Sequence, residues 1–274
     1  SAWSADSAVP PRDGVLASAA EGLDCIASTE HDAVADLRAD VADAGLVAPM
    51  LWLPGLEVTS SKNGHFNVYP HPPERGVIAH LGLDPTAILA AIRDRSPDAI
   101  LQINHPRFGD IGVFNRVRDL EGIAALDYDT LEILNGKNVD DGDAILADVL
   151  ALLPRGHLRA LVGASDSHRL VGQERGSSRT YVRVAPNMDP TAAVVAGLRA
   201  RHSTASNGPL LWLEPIPGGV RVRLLAPHWM PVDAVDVYVG VVGAPVSTEP
   251  ARRIAVPASP GPLRALDVEE PLPP

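Results

Sequence analysis

The stretch Cys25-Ile-Ala-Ser-Thr-Glu-His31 starts apolar and stops at a histidine. Read as a β-strand, it points that imidazole out of the strand's C-terminal end. Three further stretches share the same plan: Leu51-Trp-Leu-Pro-Gly-Leu-Glu57, Ile100-Leu-Gln-Ile-Asn-His105 and Leu161-Val-Gly-Ala-Ser-Asp166-Ser-His168. Helix-like segments alternate with them. In a βα-barrel the C-terminal strand ends are where catalytic groups gather. Four such strands in one chain therefore predict a polynuclear metal centre at a barrel mouth.

Working outward, the pattern predicts helices over 12–21, 33–44, 85–95, 114–120, 143–153 and 190–201. Asp84 and Asp189 are the expected N-caps of two of them, each followed by a proline at the first helical position. Strands are expected over 23–29, 50–59, 65–69, 99–104, 130–134, 160–164 and 180–184, with the turn 60–64 joining a hairpin. Persistent alternation of strand and helix argues for a parallel barrel or a doubly wound sheet. The character changes after Ser206-Asn207-Gly208-Pro209. Strands over 210–214, 219–225 and 232–242 separated by Pro and Gly predict a small β appendage at 209–274, with a boundary at residue 208 and a loosely ordered Pro-rich tail.

The bulk numbers bound the function class. The chain has 274 residues, 46% hydrophobic and 21% charged, which fits one large α/β domain with a small addition. A net charge of −11 argues against a nucleic-acid or anionic-membrane partner, because phosphate surfaces demand basic ones. It fits a carboxylate-rich site neutralised by cations, although an acidic surface kept for solubility explains it equally well. Cys25 is the only cysteine, so no intrachain disulfide forms; in a strand it reads as a small hydrophobe rather than a nucleophile. No apolar run reaches membrane-spanning length. The chain is expected to be soluble, with its compartment and oligomeric state open.

Taken singly, a histidine at a strand end is more often a hydrogen-bonded structural residue than a ligand. The set changes the odds, because borderline cations take imidazole nitrogen and carboxylate oxygen together and a carboxylate such as Glu57 can bridge two of them. Asp166 and His168 alternate on one strand, so both face the same side. His65 comes after the turn that leaves Glu57 and could reach the same mouth. Asp6 lies in a polar loop and on local grounds is a turn residue. Arg107 and Arg169 each come just after a ligand strand and are candidates to hold a substrate anion or a developing oxyanion, with a surface salt bridge as the equal alternative. His71, His80, His157, His202 and His228 are read as structural or solvated.

Thr29-Glu30-His31-Asp32 resembles the Thr-Asp-His motif of the PHP (polymerase and histidinol phosphatase) superfamily. Gly55-Leu56-Glu57, Gly64-His65-Phe66-Asn67, Ile103-Asn104-His105-Pro106 and Ser165-Asp166-Ser167-His168 resemble its later motifs in order and spacing. Arg179-Thr180-Tyr181-Val182 and Asn207-Gly208-Pro209 resemble the CehA/McbA branch of carbaryl-hydrolase-like enzymes. The resemblance covers roughly residues 1–213. It implies a distorted (β/α)7 TIM-like barrel that holds two or three divalent metal ions (Zn, Mn or Fe). It implies Asp6, His31, Glu57, His65, His105, Asp166 and His168 as ligands. It also implies a His-x-His pair on a strand directly upstream of Ser1.

The expected function is metal-dependent hydrolysis of a small-molecule ester by a metal-activated hydroxide, a phosphoester first and a carboxylic or carbamic ester second. Glu57, His168, Arg107 and Arg169 are its candidate catalytic residues, with Glu57 shared between cations and His168 or His31 acting on the leaving group. The competing expectation is a non-catalytic metal-binding or interaction module on the same barrel.

Overall fold

A computed structural model describes residues 1–46, 50–137, 141–244, 247–259 and 261–272. The chain runs α1 (Pro11–Ala20), β1 (Cys25–His31), α2 (Arg38–Asp43), β2 (Leu51–Ser60), β3 (Gly64–Tyr69), α3 (Pro85–Arg95), β4 (Ile100–Ile103), α4 (Val113–Val117), α5 (Leu120–Ala125), β5 (Thr130–Asn135), α6 (Gly142–Leu152) and β6 (Ala160–Ala164). It continues through β7 (Arg179–Val182), α7 (Pro190–Arg199) and β8 (Ser203–Ser206). It ends with β9 (Leu210–Ile216), β10 (Gly219–Pro227), β11 (Ala234–Val237), β12 (Arg252–Ala255) and β13 (Leu263–Pro271).

Strands β1 to β6 form one six-stranded sheet in sequence order, curled as a half-barrel. β1 and β2 are parallel, as are β4, β5 and β6, while β3 runs antiparallel to both of its neighbours. The hairpin is what allows this: a tight turn returns the chain downward, and the crossover through α3 brings it up again as β4. Strands β1, β2, β4 and β6 therefore deliver their C-terminal ends to the mouth, and β3 delivers its N-terminal end there.

Alternation along each strand sorts the side chains. Leu56, Val58, Phe66, Val68, Leu101, Ile103 and Leu131 face outward and are buried against Ile88, Leu89 and Ile92 of α3, Phe114 of α4, Ile123 of α5 and Ile145 of α6. Each fully buried side chain of this size stabilises the fold by about 1.5–3 kcal/mol. The inward face changes character with height. Its floor is apolar, with Leu53, Tyr69, Ile100 and Val162 closed from below by Leu198 of α7. Above it the inward positions are amides, carboxylates and finally imidazoles.

Several local expectations are corrected. The helix expected over 33–44 forms only as α2, because the chain leaves β1 through Asp32 at φ +47° and takes up no regular structure before Leu37, which precedes the helix. Val34 then packs on the large outer core and Leu37 and Val41 on a separate cluster with Val15 and Met50, so their helical spacing was fortuitous. The helix expected over 114–120 is broken at Arg118 (φ +68°), and Asp119 caps a second one by accepting from Gly122 N–H at 2.7 Å. The tail read as loosely ordered pairs with β10 as β13, Leu263 to Pro271, its apolar Leu266 buried. β8 was not foreseen; it pairs with β7. The Asp84 and Asp189 caps form as read, accepting from Ala87 and Ala192 N–H.

Gly55 is fixed by crowding. A Cβ there would stand 2.6 Å from the Val68 carbonyl oxygen and 3.1 Å from that of Ser28. Backbone cannot give way as a side-chain tip can, so Gly55→Ala is expected to destabilise the fold by about 1–3 kcal/mol. Thermal or urea unfolding of the variant checks this.

Candidate metal centre

The mouth gathers its side chains through strand register. His31 is opposite Glu57 across β1 and β2, and Thr59 is opposite His65 across β2 and β3. Asp6, His31, Glu57, His65, His105, Asp166 and His168 all line one cavity of about 510 Å³. Four imidazoles form a chain around it: ring centroids are 6.1 Å apart for His168 and His31, 5.6 Å for His31 and His65, and 4.9 Å for His65 and His105.

Two donor groups can be distinguished. In the outer one, Asp6 Oδ2 is 3.1 Å from His31 Nε2 and 2.9 Å from His168 Nε2. In the inner one, Glu57 Oε2 is 3.1 Å from His31 Nδ1, and Glu57 Oε1 is 3.1 Å from His65 Nδ1. His31 belongs to both, one ring nitrogen to each. Within each group one ligand atom per residue lies within 4.8 Å of the others, a spacing that suits a shared cation.

The chemistry of the donors fits a metal as well as their spacing does. His65 Nδ1 is buried and close to Glu57, yet it is not aligned for a hydrogen bond, and His105 Nδ1 is also buried without a partner. Atoms that crowd a carboxylate without donating to it are arranged like ligands around a common point. Asp166 stands at the rim, its Oδ1 3.9 Å from His168 Nε2. Glu57 is almost completely buried. Burial pushes its carboxyl up, but His105, His65 and His31 outweigh that and hold it far below the usual carboxylate range. For His105, burial opposes the charged ring, but Glu57, Glu132 and Asp166 raise its pKa.

The layer beneath Glu57 is a hydrogen-bonded chain. Tyr69 O–H donates to Gln102 Oε1 at 2.8 Å, Gln102 Nε2 to Asn104 Oδ1 at 2.9 Å, and Asn104 Nδ2 to Glu57 Oε1 at 3.0 Å. Buried polar groups of this kind rigidify a site when each is satisfied. The backbone is strained at two of the candidate ligands: His105 sits at φ +24° and Asp166 at φ +45°. Such residues cost about 1–3 kcal/mol each and cluster at functional sites.

Sequence reasoning missed Gln102, Asn104 and Glu132. Its rule looked for ligands at strand ends, whereas these occupy inward positions within or just beyond the strands. Alternation alone could have found Glu132, which shares the inward face of β5 with Thr130 in an otherwise apolar run.

Arg107 is not brought to the site. Its guanidinium makes a two-point pair with Asp148 of α6, Nε to Oδ2 at 2.7 Å and Nη2 to Oδ1 at 2.5 Å, and donates to Phe114 O and Asn115 Oδ1. The expected role on a substrate anion is therefore corrected to a clamp between α4 and α6. Arg169 is exposed and outside the cavity lining, so it is not brought there either. Of the other histidines, His71 is wholly buried between Ser96 Oγ and Gly76 O, and His80 braces Thr59 O at 3.0 Å; His202 and His228 are exposed.

No family model matches the chain, and no curated protein matches it. Among solved structures, an amidohydrolase from Chromobacterium violaceum with bound sulfate and no metal aligns with 72% of this chain and 93% of its own, at 17% identity and a TM-score of 0.41. A superposition that loose transfers neither fold nor activity to this chain.

Arg107→Ala strands the Asp148 carboxylate at 7% exposure and is expected to destabilise the fold by roughly 3 kcal/mol in urea unfolding. It should leave metal uptake unchanged. Burial, with a smaller push from Asp24, raises the Cys25 thiol to about 12, so a thiol reagent should label it slowly in the folded chain and much faster on unfolding.

Proposed function

We propose that the chain is a metal-dependent hydrolase acting on ester bonds of small molecules, phosphoesters first and carboxylic or carbamic esters second. In this reading it is a distorted (β/α)7 barrel of the PHP kind, with residues 209–274 as a separate β-rich unit. The core of that unit, built on Val222, Leu224 and Val235, gathers strands β10 to β13. The observation that carries the reading is the convergence of two carboxylate–imidazole groups, joined through His31, in one open cavity.

Glu57, His65 and His105 would hold an inner cation and Asp6, His31 (through Nε2, its Nδ1 being 2.6 Å from Thr59 Oγ1), His168 and Asp166 an outer one, with Zn, Mn or Fe all suited to mixed nitrogen and oxygen donors. Bound there, such cations supply Lewis acidity toward a scissile P=O or C=O and toward water. The remaining work belongs to the chain. Ser7 Oγ and the Gln173 side chain fix the His168 backbone, at 3.1 Å each. Phe108, whose ring centroid is 5.6 Å from that of His105, and Ile111 make an apolar wall for the organic part of a substrate. Lys137, paired with Glu174, is a cation lining the same cavity. No helix among the described residues is long and apolar enough to cross a membrane.

Elemental analysis of protein purified without chelator tests this. Two or three equivalents of Zn, Mn or Fe are expected, falling in Glu57→Gln. Hydrolysis of p-nitrophenyl phosphate or acetate is expected to be stopped by chelator and reduced at least about 100-fold in that variant. No metal, bound or taken up on reconstitution, would end the hydrolase reading. Metal without turnover of any ester would favour the binding module.

A further inference from the structure

Glu132 is a buried acid of the barrel interior that the proposed ligand set leaves unused. Its carboxylate is 2% exposed, and none of the described arginine or lysine side chains pairs with it. Its bonds instead run to the two strained ligand segments. Glu132 Oε2 accepts the His105 backbone N–H at 2.5 Å and Asn135 Nδ2 at 3.3 Å. Asn135 Nδ2 also donates to Asp166 Oδ2 at 3.2 Å. One carboxylate and one amide thus connect the end of β4 to the end of β6.

This connection needs an irregular strand. In regular β structure residues three apart face opposite sides, so Glu132 and Asn135 could not meet. The β5–β6 register is shifted between Glu132 and Leu134: Glu132 is opposite Val162 and Leu134 opposite Gly163. The extra residue, Ile133, packs against the outer core, and Asn135 is turned to the same side as Glu132. Bulges of this kind re-aim side chains beside active sites. The His105 amide has no ladder partner to lose, because β4–β5 pairing stops at Ile103 and Leu131.

The geometry points to Glu132, acting through Asn135, as the positioning residue of the centre: it holds the His105 backbone and the Asp166 carboxylate in the orientation that metal binding requires. It is not itself a ligand or a catalytic residue. The inference rests on the metal-centre reading for its consequence, and on the hydrogen bonds alone for its mechanism.

The test uses the full chain with Glu132→Gln, Glu132→Leu and Asn135→Ala, and two readouts. The first is the His105 amide by NMR. It should resonate downfield and exchange slowly in the parent, shift in Glu132→Gln, and exchange rapidly in Glu132→Leu. The second is cobalt(II), titrated in place of the native metal and tracked by its visible absorption. Glu132→Leu should weaken cobalt affinity about 10- to 100-fold and alter the band. Glu132→Gln, which keeps an acceptor for His105, should recover most of it, and Asn135→Ala should perturb the band with the His105 amide unchanged. If Glu132→Leu does not fold, Glu132→Gln and Asn135→Ala carry the same comparison. A His105 amide indifferent to Glu132, or cobalt binding and band unchanged in every folded variant, overturns the proposal. A parent that takes up no cobalt but shows the expected amide response ends the hydrolase reading and leaves the positioning of His105 standing.

Discussion

Glu57 places a negative charge where there is almost no water, and the rest of the barrel interior answers to it. A carboxylate buried that deeply is untenable without compensation. Three imidazoles crowd it from the mouth and an amide donates to it from below. This demand sets the vertical ordering of the interior. Apolar side chains and α7 close the floor, where nothing charged needs solvating. Amides occupy the middle, and titratable groups stand at the top, where solvent or a cation can reach them.

The β2–β3 hairpin is the structural device behind this arrangement. Were β3 parallel, its first residue would lie at the floor, and His65 could not face Glu57. Running it antiparallel puts two donors, eight positions apart in sequence, on the same face of adjacent strands as diagonal neighbours, close enough for His65 Nδ1 to stand 3.1 Å from Glu57 Oε1. The other donors come from four well-separated places along the chain: Asp6, His31, His105 and the Asp166/His168 pair. A cation that binds them all would cross-link the loop before α1 to the ends of β1, β4 and β6, so occupancy of the centre and stability of the barrel are coupled.

Much of this was legible in the sequence because period-two alternation and strand-end ligands are local signals. The four strands ending in His, Glu or Asp-x-His, the hairpin, and both Pro-started helices with their Asp caps were readable for that reason. What escaped was non-local. Nothing near Arg107 says that Asp148 will stand opposite it, so its two-point pair could be found only in three dimensions. Val34, Leu37 and Val41 keep helical spacing but serve two different cores, which a periodicity cannot separate. A one-residue bulge at Ile133 leaves no compositional trace, and with it went the partnership of Glu132 and Asn135.

The chain from Tyr69 through Gln102 and Asn104 to Glu57 has a direction. Each group donates upward and accepts from below, so the phenol and amide dipoles align with their positive ends toward the carboxylate. Hydrogen bonds in series polarise one another. The column therefore acts on Glu57 as a fixed electric field built from neutral side chains, oriented along the barrel axis and undiminished by pH across the range in which amides and the buried phenol stay uncharged. Turning a single amide over would break the series and reverse part of that field, so the sense of the whole column is set by the acceptor-only carboxylate at its head and handed down, amide by amide, to the tyrosine at its foot.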